Sequence, residues 1–90
     1  MYRIRPTTKF QKDLKRIQKR GYRIELLTEV IKKLAADIPL NESNKDHKLG
    51  GDYDGWRECH ITPDWLLIYE KSDAELILYL TRTGTHSDLF

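Results

Sequence analysis

The sequence predicts an α+β fold in which two N-terminal helices pack on a mainly antiparallel sheet of about four to five strands. Three observations lead there. Apolar residues recur with a helical period between Phe10 and Leu34, the pattern changes to short strand-like runs beyond Asp46, and the two halves carry opposite charge. Ninety residues suit one domain spanning 1–90, because a chain this short buries only about 60% of its extended surface and cannot divide that core in two.

Tyr2 to Pro6 alternates and is closed by proline, so it reads as a short strand. Thr8 and Gln11 have the spacing of a capping box, which predicts that a helix starts there. Phe10, Leu14 and Ile17 then keep one apolar stripe inward, and Gly21 supplies the left-handed stop. Ile24, Leu27, Val30, Ile31 and Leu34 repeat the period, which predicts a second helix to about Asp37, ended by Pro39. Leu40 to Lys45 reads as a solvated loop. Strands follow over His47–Leu49, Trp56–Ile61, Trp65–Glu70 and Glu75–Arg82, with turns at Asp52 to Gly55, Thr62 to Asp64 and Lys71 to Asp73.

A hydrophobic fraction of 39% with 33% charged residues describes an ordinary globular domain. No apolar run approaches the roughly 20 residues of a membrane helix, and Met1-Tyr-Arg-Ile-Arg lacks the apolar centre of a secretory signal, so a cytoplasmic protein without a membrane partner is expected. The single cysteine, Cys59, allows no internal disulfide and reads as a small buried strand residue. The net charge of +2 conceals an asymmetry: residues 1–45 carry 12 basic and 5 acidic side chains, residues 46–90 carry 4 and 9. Lys9, Lys12, Lys15, Arg16 and Lys19 crowd the first helix and make it a candidate surface for a polyanion, nucleic acid above all.

All three histidines fall at strand ends in the second half. Histidine titrates near neutral pH, so several converging on one cleft can both remove and donate a proton in a single turnover. His60 and Asp64 flank a three-residue turn and should emerge at the same end of the sheet, as a catalytic pair or a surface pair. His47 closes a loop. Arg82 ends the last strand and, with His86 just beyond, can meet a phosphate through its planar fork or pair with an acid. Strict alternation groups Trp56, Glu58 and His60 on one face but places Arg82 with Leu76, Leu78 and Leu80, unless a bulge shifts the phase. Trp65 and Phe90 can stack on bases, although a tryptophan opening an apolar strand also suits the core.

Four phrases occur in a telling order: Thr-x-x-Phe-x-Lys-Asp-Leu-Lys at 7–15, Asp-His-x-Leu at 46–49, Trp-Arg-Glu-Cys-His-Ile-x-Pro-Asp-Trp-Leu-Leu-Ile-Tyr at 56–69, and Arg-Thr-Gly-Thr-His-Ser-x-Leu-Phe at 82–90. Together they resemble the YafQ-like branch of the RelE/ParE toxin superfamily. The resemblance implies the RelE-like α+β fold and a ribosome-dependent endoribonuclease that cleaves mRNA in the decoding site. It implies a cognate antitoxin in a higher-order hetero-oligomeric complex, and no cofactor or metal. It places the catalytic set on His47, His60, Asp64, Arg82 and His86, and the site aromatics on Trp65 and Phe90.

The matching chemistry is attack of a ribose 2′-hydroxyl on the adjacent phosphate, with His60 and Asp64 as one proton-transfer unit, His86 as the other, and Arg82 on the phosphate. A competing class is a non-catalytic RNA- or ribosome-binding module whose histidines are structural. A metal hydrolase using His60, Asp64 and His86 is weaker, because their spacing matches no helix-borne or finger-like ligand pattern.

Overall fold

In the computed structural model, which describes residues 1–53 and 55–90, the elements run β1 (Arg3–Pro6), α1 (Thr8–Lys19), α2 (Ile24–Ala35), β2 (His47–Lys48), β3 (Arg57–Thr62), β4 (Trp65–Ser72), β5 (Ile77–Gly84) and α3 (His86–Leu89). Of the turn expected over Asp52 to Gly55, Asp54 lies outside the described residues. The sheet has the order β1-β5-β4-β3-β2, with β1 parallel to β5 and the remaining pairs antiparallel.

Helix α1 starts one residue earlier than the capping-box spacing suggests. Thr7 is the N-cap: its hydroxyl accepts from the Phe10 N–H at 3.1 Å while donating to the Thr81 carbonyl at 2.9 Å, so one side chain caps the helix and binds it to β5. The Gln11 amide reaches the Pro6 carbonyl instead. At the far end Gly21, at φ +81°, closes a Schellman motif in which its N–H donates to Gln18 and that of Tyr22 to Ile17. Helix α2 ends before Asp37, not through it. Asp37 itself takes the left-handed conformation at φ +59°, and the Asp37 and Ile38 N–H groups bond back to Leu34 and Lys33, so the chain has left the helix before Pro39.

The helices cover one face of the sheet. Phe10, Ile17, Leu27 and Leu34 pack with Cys59, Trp65, Leu67, Tyr69, Leu78 and Leu80, all buried. Burying each large side chain is worth roughly 1.5–3 kcal/mol. Cys59 is the small buried strand residue expected there, and its burial pushes the thiol up to about 12. The loop before β2 is less free than its polarity suggests, because a short 3₁₀ turn at Glu42–Asn44 brings the Asn44 amide onto the His60 carbonyl at 2.8 Å.

The sheet register decides which residues share the opposite face. Strand β4 pairs Tyr69 with Leu80 but Ile68 with Arg82, so a bulge at Thr81 adds one residue to β5. One extra residue reverses the side-chain phase. Arg82 therefore leaves the core face of Leu78 and Leu80 and joins the row His47, Glu58, Ile68 and Arg82, which are consecutive cross-strand partners.

Beyond Leu80, strand β1 has ended and the edge of β5 is open. Asp13 of α1, 1% exposed, fills that edge: its carboxylate accepts from the Thr83 N–H at 3.1 Å and from Arg82 Nε and Nη2 at 2.7 and 3.1 Å. Removing one side of such a buried charge pair leaves the other unpaired. Asp13→Ala is expected to lower stability by about 3 kcal/mol in urea unfolding, and Asp13→Asn by less. Equal midpoints for wild type and Asp13→Ala would refute the role given to this carboxylate.

Candidate active site

Strand ends and turns bring the three imidazoles to one region of the face away from the helices. Glu58 lies between two of them, its Oε1 at 3.5 Å from His47 Nε2 and 3.8 Å from His60 Nε2. The carboxylate is 6% exposed, so its charge is shielded from water and faces the two rings. His47 is held on its other nitrogen by the Lys45 carbonyl at 2.6 Å, and His60 by that of Pro63 at 3.3 Å. Both nitrogens of each ring thus face oxygen atoms. Asp46 fixes the approach to His47: Tyr69 donates to it at 2.5 Å and Arg57 at 3.3 Å.

Asp64 pairs with His86, not with His60 as its position in the turn suggests. His86 Nδ1 lies 2.8 Å from Asp64 Oδ1, and the His86 backbone N–H donates to the same oxygen at 3.4 Å. This hydrogen bond holds the Asp64 carboxyl below its usual range. With Nδ1 held by a carboxylate, the ring is oriented with Nε2 turned away from Asp64, the arrangement that leaves that nitrogen for proton transfer. The rings of His60 and His86 are 5.9 Å apart between centroids. The cluster therefore contains two imidazole–carboxylate units side by side, and the second carboxylate is Glu58. Its signal in the sequence was its alternation with His60 along β3.

A short helix, absent from the sequence reading, positions His86. Thr85 and Asp88 form its capping box: the Thr85 hydroxyl accepts from the Asp88 N–H at 3.2 Å, and the Asp88 carboxylate accepts from the Thr85 N–H at 3.0 Å. The Thr85-x-x-Asp88 spacing carried this information. Arg20 clamps Asp88 from the end of α1 at 2.7 and 3.1 Å. Gly84 permits the close turn, since it sits at φ +153° and a Cβ there would lie 2.9 Å from Asp88 Oδ2.

Arg82, cross-strand from Ile68 and so one strand beyond the partner of Glu58, has its guanidinium oriented by Asp13. Next to it opens a groove of about 180 Å³, lined by Lys9, Trp56, Ile68, Thr81 and Leu89. Trp65 does not reach that face. It is 2% exposed, meets Tyr22 edge to face at 5.1 Å and donates its indole N–H to Thr83 at 2.9 Å, so base stacking is replaced by a core role. It belongs to the buried cluster that includes Phe10, Ile17 and Leu27 of the helices. Phe90, 57% exposed, remains at the surface. Lys9, Lys12, Lys15, Arg16 and Lys19 are all exposed on α1, with Arg16 3.6 Å from Asp13. Among the described residues, no three His, Cys, Asp or Glu side chains gather as a metal ion would require.

A five-stranded mixed sheet carrying two long helices is the α+β arrangement of the RelE-like fold. A family model described as a bacterial toxin of type II toxin–antitoxin systems, YafQ, matches residues 2–90, and the chain belongs to that family. The mRNA interferase toxin YafQ of Escherichia coli K12 is 40% identical over 82 residues, 90% of this chain and 87% of that protein. The structure of a metal-bound toxin from Helicobacter pylori is 44% identical and superposes over all of both chains with a TM-score of 0.94. The DinJ–YafQ complex of E. coli contains a chain 37% identical, matched over 100% of this chain and 99% of that one with a TM-score of 0.91.

The clamp on α3 has a pH signature. The Arg20 guanidinium, then the Thr85 N–H, hold the Asp88 carboxyl far below its ordinary value of 3.8. A depressed carboxylate contributes stability that is complete above the ordinary value and disappears as pH falls through the lowered one. Asp88→Asn should therefore melt below wild type at pH 7, with the two curves converging as the medium is acidified below pH 3.8. A gap that widens toward acid would contradict the assignment.

Proposed function

We propose that this chain is an mRNA-cleaving endoribonuclease that works on the ribosome and is neutralised by a cognate antitoxin. The observation that carries the reading is the juxtaposition of His60 and His86, 5.9 Å apart, one near Glu58 and the other bonded to Asp64. Family membership and the name of the E. coli relative support it.

In the reaction, one imidazole removes the proton of a ribose 2′-hydroxyl as that oxygen bonds to the adjacent phosphorus. The bond from phosphorus to the 5′ oxygen breaks, and the second imidazole delivers a proton to the leaving oxygen. The products are a 2′,3′-cyclic phosphate and a 5′-hydroxyl, so protons are conserved and no redox partner is needed. Asp64 aims His86, while Glu58 and the loop carbonyls aim His60 and His47. Arg82, preset by Asp13, stabilises charge on the phosphate as its oxygens crowd. Phe90, exposed at the C-terminal end of α3, offers a ring to a neighbouring base. The alternative of a binding module with structural histidines predicts intact RNA.

Cell-free translation followed by primer extension on the message tests the mechanism. His60→Ala and His86→Ala are expected to slow cutting by about 10² to 10⁴ while remaining folded. Arg82→Ala should lose about 3 kcal/mol of transition-state stabilisation. Wild-type toxin dialysed against a chelator of transition metals should keep its rate. Cuts unchanged in all three variants would reject the site, and cuts lost after dialysis would reject the metal-free route.

The lysines of α1 supply sequence-independent grip on phosphates, because each neutralised phosphate releases counterions. Lys12→Ala and Lys15→Ala should each weaken ribosome binding on every message and flatten the salt dependence by about one ion. A salt slope identical to wild type would remove α1 from the interface.

A further inference from the structure

We propose that Trp56 is the stacking platform for the base of a message nucleotide adjoining the cleaved linkage, with Lys9 and Lys48 holding backbone phosphates on either side of it. The inference rests on the endoribonuclease reading and adds a nucleotide subsite to it.

Single-stranded RNA is gripped by aromatic faces on which unpaired bases stack and by cations that follow its backbone. Burial withdraws Trp65 from that task. Trp56 occupies the right place. The Leu49 N–H donates to the Trp56 carbonyl at 2.9 Å, which continues the β2–β3 ladder one residue beyond Arg57. The pleat then carries Trp56 onto the same face as Glu58 and His60, two and four residues further on. Its partly exposed side chain lines the groove beside Arg82, and it also lines a second cavity of about 500 Å³ that includes Lys48, Arg57 and Lys71. One indole therefore stands between the phosphate-facing arginine and a hollow of mixed charge, lined also by Asp37 and Asp73, at the start of β3.

The charges around the indole point to a nucleotide rather than to an apolar peptide. In the larger cavity Arg57 is paired with Asp46, Lys71 with Asp37 at 3.0 Å, and the Asp73 carboxylate accepts from the Tyr2 hydroxyl. Lys9 borders the smaller groove and Lys48 the larger, and both are exposed. Neither makes a salt bridge among the described residues. A strand of RNA whose scissile phosphate meets Arg82 can thus run from Lys9 across the indole toward Lys48, with one base laid on the ring and its phosphates at the two lysines.

The test is single-turnover cleavage on ribosomes programmed with messages that carry an abasic nucleotide at either position flanking the cut. Wild type is compared with Trp56→Leu, which keeps apolar volume without a π-face, and Trp56→Phe, which restores an aromatic ring; melting curves confirm that each is folded. On the intact message Trp56→Leu should raise the half-saturating toxin concentration about 5- to 100-fold, as expected for one stacked base, and Trp56→Phe should recover most of the loss. One of the two abasic messages should impose a similar loss on wild type and almost none on Trp56→Leu. If abasic messages penalise wild type and Trp56→Leu equally, or if Trp56→Leu saturates like wild type on the intact message, the platform is wrong while the nuclease stands. Failure of wild type to cut the intact message would overturn both.

Discussion

The functional face depends on one buried carboxylate. Asp13 accepts three hydrogen bonds from β5 where that strand has lost its β1 neighbour, and two of them come from Arg82. The same group therefore satisfies an open sheet edge, fixes α1 against β5 and aims the cation of the candidate site. A buried unpaired N–H at Thr83 would be costly, as would a buried carboxylate without its arginine, so neither side of the contact is dispensable on its own. The basic surface of α1 is thereby held beside the groove that Arg82 borders.

The imidazole cluster is assembled by a different economy of contacts. Glu58, almost wholly enclosed, keeps one oxygen within 4 Å of two imidazoles on β2 and β3. Asp64, on an exposed turn, takes the third imidazole from α3. Each ring is oriented through Nδ1, by a carbonyl for His47 and His60 and by a carboxylate for His86. Such orientation matters because proton transfer falls off steeply once donor and acceptor leave hydrogen-bond reach. The network reaches back to α1 through Asp88 and Arg20, so a four-residue helix too short to be stable alone has a fixed place.

Two details, one left open by the sequence and one misread from it, show where local pattern loses to packing. Trp65 opens an apolar strand among polar neighbours, and position alone does not say whether its ring faces the core; the phase of β4 puts it beside Tyr22 and Thr83. Asp64 is four residues from His60, yet its carboxylate bonds to a histidine 22 residues later, because the turn projects it toward the end of β5. Sequence proximity measures what is reachable, whereas the angle of the turn selects the partner. The short helix at His86 was legible in principle, since its cap lies in the spacing of Thr85 and Asp88.

What the residue order alone determined is everything that depends on near neighbours: two amphipathic helices, all five strands within a few residues, the Gly21 stop, the buried Cys59 and the family phrases that single out His47, His60, Asp64, Arg82 and His86. Only the folded chain decided the parallel docking of β1 on β5, the bulge at Thr81 that turns Arg82 to the histidine face, the pairing of Asp64 with His86, and the place of Glu58 between two rings. The physical reason is that helical period and strand alternation arise from backbone geometry within a few residues. Which strands become neighbours, and where one slips by a residue, is settled by burial and by the backbone groups that packing leaves unsatisfied.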